Sequence, residues 1–445
     1  MIKNTFKNAN NYIFIALLAW ILGYVLFFYH ITSRQNITYL FLILALLFAT
    51  YFYVLVHLKK YEEPKNNLLF YISIIFRLLP LASIPFLSDD FYRFIWDGQL
   101  LHQYINPFAY TPLQIINGHS EWLAATLWFK KLNSPLYYTV YPPVNQFIFW
   151  LSGFAPKNNL HFSVIIMRLC LLAFDIGTLI LLKKLLIIKK LKPKLVYVYA
   201  LNPLVIIEFV GNLHFEVAML FFTFLAVYLL CKQKNNWSAV SLGLAVCSKL
   251  LPLVFIPLMV RQIGWLKTLK YGFIVLATAL LLFFPFIHNK QLCFNFIKSL
   301  QLYYGTFEFN GSFYQLFKYI GWLYWGYNPI TYISKILFFL TFVGFVFCFV
   351  KSRNIFEGLF FLVFVHCILS AIVHPWYILP LVAFSPFIPW RFGVVWSALI
   401  GLSYFTYKAV PYQESMLVLG VEYFLLFAFI WYEVYCKTAF KIVNK

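Results

Sequence analysis

Long apolar runs, separated by short polar ones, recur along almost the whole chain, and that spacing leaves few folds open. A helix that crosses hydrocarbon needs about 20 mostly apolar residues. Runs of that order lie at 12–29, 37–58, 68–87, 161–182, 195–210, 214–230, 271–287, 331–350, 355–373, 392–409 and 417–435. Hydrophobic residues make up 63% of the chain and charged ones 11%, and mean hydropathy is +0.79. The runs lack the two-residue alternation of a barrel strand. The expectation is an all-α polytopic membrane protein, a single bundle over 1–445 with roughly 12 to 14 spans.

The formal charge of +21 would suit a nucleic-acid binder. However, the lysines and arginines are dispersed over short loops and form no nucleic-acid motif. The preference of basic residues for the cytoplasmic side explains them better. Lys3 and Lys7 place the N-terminus inside, with an uncleaved first helix, and the basic loops 57–65 and 183–194 mark the same face. Four segments then fall outside: the first large loop 88–160, a turn near 211–214, the second loop 288–330, and the turn 373–377. The stretch 141–156 is too short for a span and is expected to be re-entrant or interfacial, and 237–247 with 250–260 reads as two short, broken helices. The seven cysteines have no metal-ligand or disulfide spacing and read as small buried hydrophobes.

Asp89, Asp90 and Asp97, three of the four aspartates in the chain, fall inside "SDDFYRFIWDG" (88–98). Helix chemistry explains part of this: Ser88 can cap, acids in a first turn oppose the helix dipole, and Asp89 and Arg93 have ion-pair spacing. The same spacing allows Asp90, Arg93 and Asp97 to share one face of an interfacial helix seated by Phe91, Tyr92, Phe94 and Trp96. Glu121, Glu208, Glu216 and Glu308 map to the same expected face. A carboxylate there can act as a general base, and a cation beside it can hold phosphate.

The stretch "SDDFYRFIWDGQLLHQYINPFAYTP" (88–112) resembles the first outer loop of GT-C-fold, polyprenol-phosphate-sugar-dependent glycosyltransferases, bacterial mannosyltransferase-like branch. "YPPVNQFIF" (141–149), "LNPLVIIEFVGNLHFEVAML" (201–220), "SKLLPLVFIPL" (248–258), "FEFNGSFY" (307–314) and "HPWYILP" (374–380) follow in that family's order. The resemblance implies a GT-C-like bundle whose outer loops carry short interfacial helices. It also implies a polyprenyl-phosphate-sugar donor, an acceptor that is a lipid or glycan, a site on the extracytoplasmic side of the cell (inner) membrane, and no metal or other cofactor. Asp90 is the implied base, with Asp89 second. Phe94 stands where Tyr is usual, which suits stacking, and Glu216 stands where Asp is usual.

Inverting transfer of a hexose needs a base at the attacking hydroxyl and cations at the leaving phosphate. Arg93, Lys249 and His374 are the candidate cations, with Arg168 and His214 behind them. Lys249 interrupts apolar sequence, where a charge is a functional candidate by default; snorkelling is the alternative. Arg168 and Asp175, seven apart, suit either charge balance between helices or substrate contact. Asp97, His214, Glu216, Tyr303, Tyr304, Glu308, Asn310, Trp376 and Tyr377 complete the candidate substrate contacts. Mannose leads among sugars through the resemblance alone. Two other classes stay open: a transporter or flippase for a lipid-linked glycan, and a noncatalytic assembly subunit.

Overall fold

The computed structural model describes residues 15–31, 33–58, 68–118, 128–156, 159–305 and 307–443, the side chains of 302–305 and 437–443 excepted. The fold is helical throughout. The only sheet-like pairing among the described residues is an isolated bridge from Phe309 and Asn310 to Ile372. Among the described residues five helices are long and apolar enough to cross a membrane: Ile37–Leu58, Leu160–Ile188, Trp265–Phe283, Ile330–Lys351 and Met416–Cys436. A sixth candidate is Pro193–Ala200 with Pro203–Gly211, bent by 58°. Six shorter apolar helices among the described residues, Ile15–His30, Glu216–Cys231 and Ile355–Ile368 among them, pack with these. The class is therefore the expected one, an all-α polytopic membrane protein. Length alone, however, identifies fewer crossings than the roughly 12 to 14 expected from apolar runs.

The difference arises where proline and capping residues cut the runs. Within 195–210, Asn202 caps the second half through a bond from the Val205 amide (3.3 Å), and Pro203 follows it. The chain then widens into a π-helical turn, Ile206–Gly211, a form often found at functional sites. The pair of short helices expected around 249 is present as Asn235–Val246 and a 3₁₀ segment, Leu251–Met259. The stretch 141–156 becomes one ten-residue helix, Pro143–Ser152.

Charges inside the bundle find partners there, as burial demands. Arg77 and Asp175 are fully buried and pair at 2.7 Å, and the Tyr199 hydroxyl donates to the same carboxylate (2.7 Å). Arg77 also donates to the Ala200 carbonyl at the break of the bent pair (2.7 Å). Arg168 makes no ion pair with Asp175. It donates to the carbonyls of Val210 (3.0 Å), Gly211 (2.6 Å) and Leu81 (3.2 Å), and to those of Pro80 and Ser83. Its guanidinium thus ties the end of the helix Leu68–Ala82 to the π-turn, which is a structural role.

The helix Asp90–His102 follows that junction and packs backbone to backbone on Pro143–Ser152. Gly98 permits this: a Cβ there would lie 2.1 Å from the Phe149 carbonyl oxygen. Phe94 stacks on Phe149 at 4.7 Å and meets Phe215 edge-on at 5.1 Å. Phe91, Phe94 and Trp96 are buried in protein. They are core anchors of this helix, where an interfacial, lipid-facing role was expected. The cysteines also divide: Cys247, Cys348 and Cys367 are buried, whereas Cys293 and Cys436 are exposed. Gly98→Ala is expected to destabilise the protein by about 1–3 kcal/mol through overpacking, read as a lower thermal unfolding midpoint of the purified protein.

Candidate active site

The first loop is braced from within. Arg93 Nε pairs with Asp97 Oδ1 at 2.8 Å, and its Nη1 donates to the carbonyls of Ser134 (3.1 Å) and Tyr137 (3.0 Å). Asp97 Oδ2 accepts from Thr139 Oγ1 (2.5 Å) and Gln146 Nε2 (3.0 Å). Both residues are buried, so Asp90, Arg93 and Asp97 do not present one reactive face. Arg93 and Asp97 hold the loop 133–141 and the helix Pro143–Ser152 against Asp90–His102, because a buried charge is stable only when its bonds are met locally.

The two adjacent aspartates differ in their partners. Asp89 does not pair with Arg93. Its Oδ2 lies 2.5 Å from Arg34 Nη2, and the same guanidinium packs over the rings of Tyr407 (4.7 Å) and Tyr412 (5.0 Å). Asp90 opens the helix, with its amide donating to Ser88 Oγ (3.2 Å). Its Oδ1 accepts a bond from Asn133 Nδ2 (2.7 Å). The carboxyl is half-buried. Burial raises its pKa above the ordinary carboxylate range; His214 and the Asn133 bond oppose that rise, and Asp89 and Glu216 add to it.

Across from Asp90, the π-turn and the chain leading into the helix after it bring three more ionisable groups, Glu208, His214 and Glu216, and Lys249 joins them from the break between Asn235–Val246 and Leu251–Met259. Glu208 is fully buried, accepts from the Tyr404 hydroxyl, and lies 3.0 Å from His214 Nε2. Glu216 pairs with Lys249, whose ammonium sits 3.8 Å from the centre of the Tyr377 ring. His214 lies face to face with Trp376 at 3.5 Å, Trp376 stacks on His374 at 4.4 Å, and His374 stacks on Phe309 at 4.6 Å. This four-ring column joins three separate segments of chain. Burial, together with the charges of His214 and Lys249, pushes the His374 pKa down to about 3. The His374 ring is therefore neutral, and its Nδ1 is buried without a hydrogen-bond partner among the described residues.

Two other candidates support the site from behind. Glu308 pairs with Lys318 at 2.7 Å. Asn310, at φ 52°, donates from its amide to Glu414 and from Nδ2 to Glu422 (3.2 Å), and its carbonyl accepts from Tyr423 (2.5 Å). These bonds tie down the loop that carries Phe309. Tyr303 and Tyr304 lie outside the described side chains, and Glu121 outside the described residues.

The structure thus gathers Asp89, Asp90, His214, Glu216, Lys249, His374, Trp376 and Tyr377. It also brings in Glu208, which the sequence set on the same face, and adds Arg34, Asn133, Tyr404, Tyr407 and Tyr412, which the sequence reading missed. One available signal was topological: the threading that sets 88–160 outside also sets 30–36 and 409–415 there. Among the described residues no group of three or more His, Cys, Asp or Glu side chains is arranged to hold a metal ion.

A multi-helix membrane fold with a carboxylate, paired cations and stacked aromatic rings at one junction defines a class, and comparison with known families supplies its kind. Residues 18–264 match the family profile described as alpha-(1->6)-mannopyranosyltransferase, N-terminal domain. That match covers more than half of the chain, and the protein belongs to this family. It is a membrane glycosyltransferase of the mannosyltransferase type, which takes a sugar donor and an acceptor and whose spanning helices lie against membrane lipids. No curated protein matches the chain.

The bonding separates brace from reactive group in a measurable way. Asp97→Asn strips Arg93 of its buried counter-charge and is expected to cost about 3–5 kcal/mol of stability. Asp90→Asn leaves a half-buried polar group in place and is expected to shift the unfolding midpoint little. Thermal unfolding of both variants in one detergent checks the contrast.

Proposed function

We propose that the protein transfers mannose from a polyprenyl-phosphate-linked donor to a hydroxyl of a lipid or glycan acceptor. The site faces the extracytoplasmic side of the cell (inner) membrane, and residues 1–445 act as one catalytic domain. The observation that carries this reading is the unequal fate of the two aspartates. Asp89 is neutralised by Arg34, whereas Asp90 holds one side-chain bond, from Asn133, and lies within electrostatic reach of His214 and Glu216. Asp90 is the base in this reading.

In the transfer, Asp90 takes the proton of the acceptor hydroxyl. The acceptor oxygen forms its bond to the anomeric carbon, and the bond from that carbon to the phosphate oxygen breaks on the opposite face. The configuration inverts, and polyprenyl phosphate leaves with the electron pair. Charge grows on that phosphate in the transition state, where a preplaced donor is worth most. Lys249 supplies the positive charge, shared in the resting state with Glu216 and Tyr377. The unpartnered Nδ1 of a neutral His374 is suited to donate one further bond. Trp376 and Tyr377 offer ring faces to the sugar. A nucleotide sugar is confined to the cytoplasm, which favours a lipid-linked donor for a site facing outward.

The test is transfer of labelled mannose from polyprenyl-phosphate-mannose in native-host membranes. Asp90→Asn is expected to lower transfer by about 10²–10⁴-fold at unchanged protein level. Asp89→Asn is expected to remain active. The base works deprotonated, so wild-type activity is lost as pH falls through the Asp90 pKa, which lies above the ordinary carboxylate range. Asp89 raises that pKa, so Asp89→Asn should move the acid limb to lower pH. Loss of transfer in Asp89→Asn alone would make Asp89 the base.

A further inference from the structure

The helix Glu216–Cys231 begins at the candidate active site and, over its 16 residues, rises roughly 24 Å before it reaches Lys232. At that far end two ammonium groups from different helices meet one ring. Lys184 Nζ lies 5.7 Å and Lys232 Nζ 5.9 Å from the centre of Tyr228. Lys184 comes from the last turns of Leu160–Ile188 and Lys232 from the end of Glu216–Cys231. Both lysines are exposed and Tyr228 is half-buried.

Their surroundings are strongly basic. Residues 183–194 contain six lysines and no acid, and 232–234 contain two more lysines and no acid. Among the described residues, neither Lys184 nor Lys232 has a carboxylate within ion-pair distance. The six described pairs use Arg34, Arg77, Arg93, His214, Lys249 and Lys318 instead. Trp237, 67% exposed, stands on the next helix, and Ile187, 57% exposed, one turn from Lys184. An exposed Trp and a half-buried Tyr beside lysines, with apolar residues next to them, is the pattern of a helix end at headgroup depth. Basic recesses between helix ends at that depth bind lipid phosphates.

We infer that Lys184 and Lys232, set around Tyr228, form a binding site for the phosphate headgroup of an anionic membrane phospholipid, on the membrane face opposite the sugar-transfer site. An anion between the two ammonium groups offsets their mutual repulsion, and the lipid chains lie along the exposed apolar residues of Leu160–Ile188. Snorkelling explains isolated lysines at helix ends, but it does not require two of them to share a ring. This site lies outside the groups assigned to sugar transfer and does not depend on which aspartate is the base.

The test uses the purified full chain in detergent, with the unfolding midpoint and the retained lipid measured after adding phosphatidylglycerol, phosphatidylcholine or inorganic phosphate. Phosphatidylglycerol is expected to bind and stabilise the wild type where phosphatidylcholine does not. The double variant Lys184→Gln/Lys232→Gln should bind it more weakly by roughly tenfold or more. A control double variant, Lys290→Gln/Lys298→Gln, removes the same charge from two other exposed lysines and should bind as the wild type does. Equal binding of the two lipids, or equal losses in both double variants, overturns the site. Stabilisation by inorganic phosphate to the same extent overturns the lipid as its occupant.

Discussion

A guanidinium carried into this bundle must have its bonds met inside it, by a carboxylate or by backbone carbonyls, and three arginines set the architecture by doing so. Arg77 meets Asp175 and the broken end at Ala200. Arg168 collects the carbonyls that the π-turn and the preceding helix leave unpaired. Arg93 meets Asp97 and fixes the first loop. The first two joins lie where a helix stops and the third braces the helix that follows, and together they frame the junction at which Asp90, His214, Lys249 and His374 assemble.

That division of labour explains why aspartate is concentrated in one short stretch. Of its three aspartates, Asp97 is structural, Asp89 is spent on Arg34, and Asp90 retains a half-open carboxyl with one side-chain bond. A half-buried carboxyl is costly unless its neighbours hold it, and here Asn133 does so directly while His214 offsets its charge. The aromatic column from Phe309 to His214 gives the same junction a rigid wall.

Much of this was legible in the sequence. Apolar run length gave the fold class, and the limits of Ile37–Leu58 fell where the run ends. The order of short motifs identified the segments that converge, and Glu216, Lys249, His374 and Trp376 lie together as that order suggested. Partner choice was not legible. Asp89 has ion-pair spacing with Arg93, yet Asp97 has the same spacing on the other side, and only the fold decides between them. Arg34 and Tyr404 are distant in sequence from the carboxylates they bond, Asp89 and Glu208, so no local pattern announced them. The aromatics of 91–96 read as interfacial because composition does not distinguish lipid from protein as their solvent.

The account turns on where the donor binds. A cryo-EM structure of the protein in lipid nanodiscs with polyprenyl-phosphate-mannose measures this directly. The account predicts the phosphate between Lys249 and His374, with the anomeric carbon on the side of Asp90. A donor phosphate held elsewhere, with Asp90 facing only protein, would contradict it.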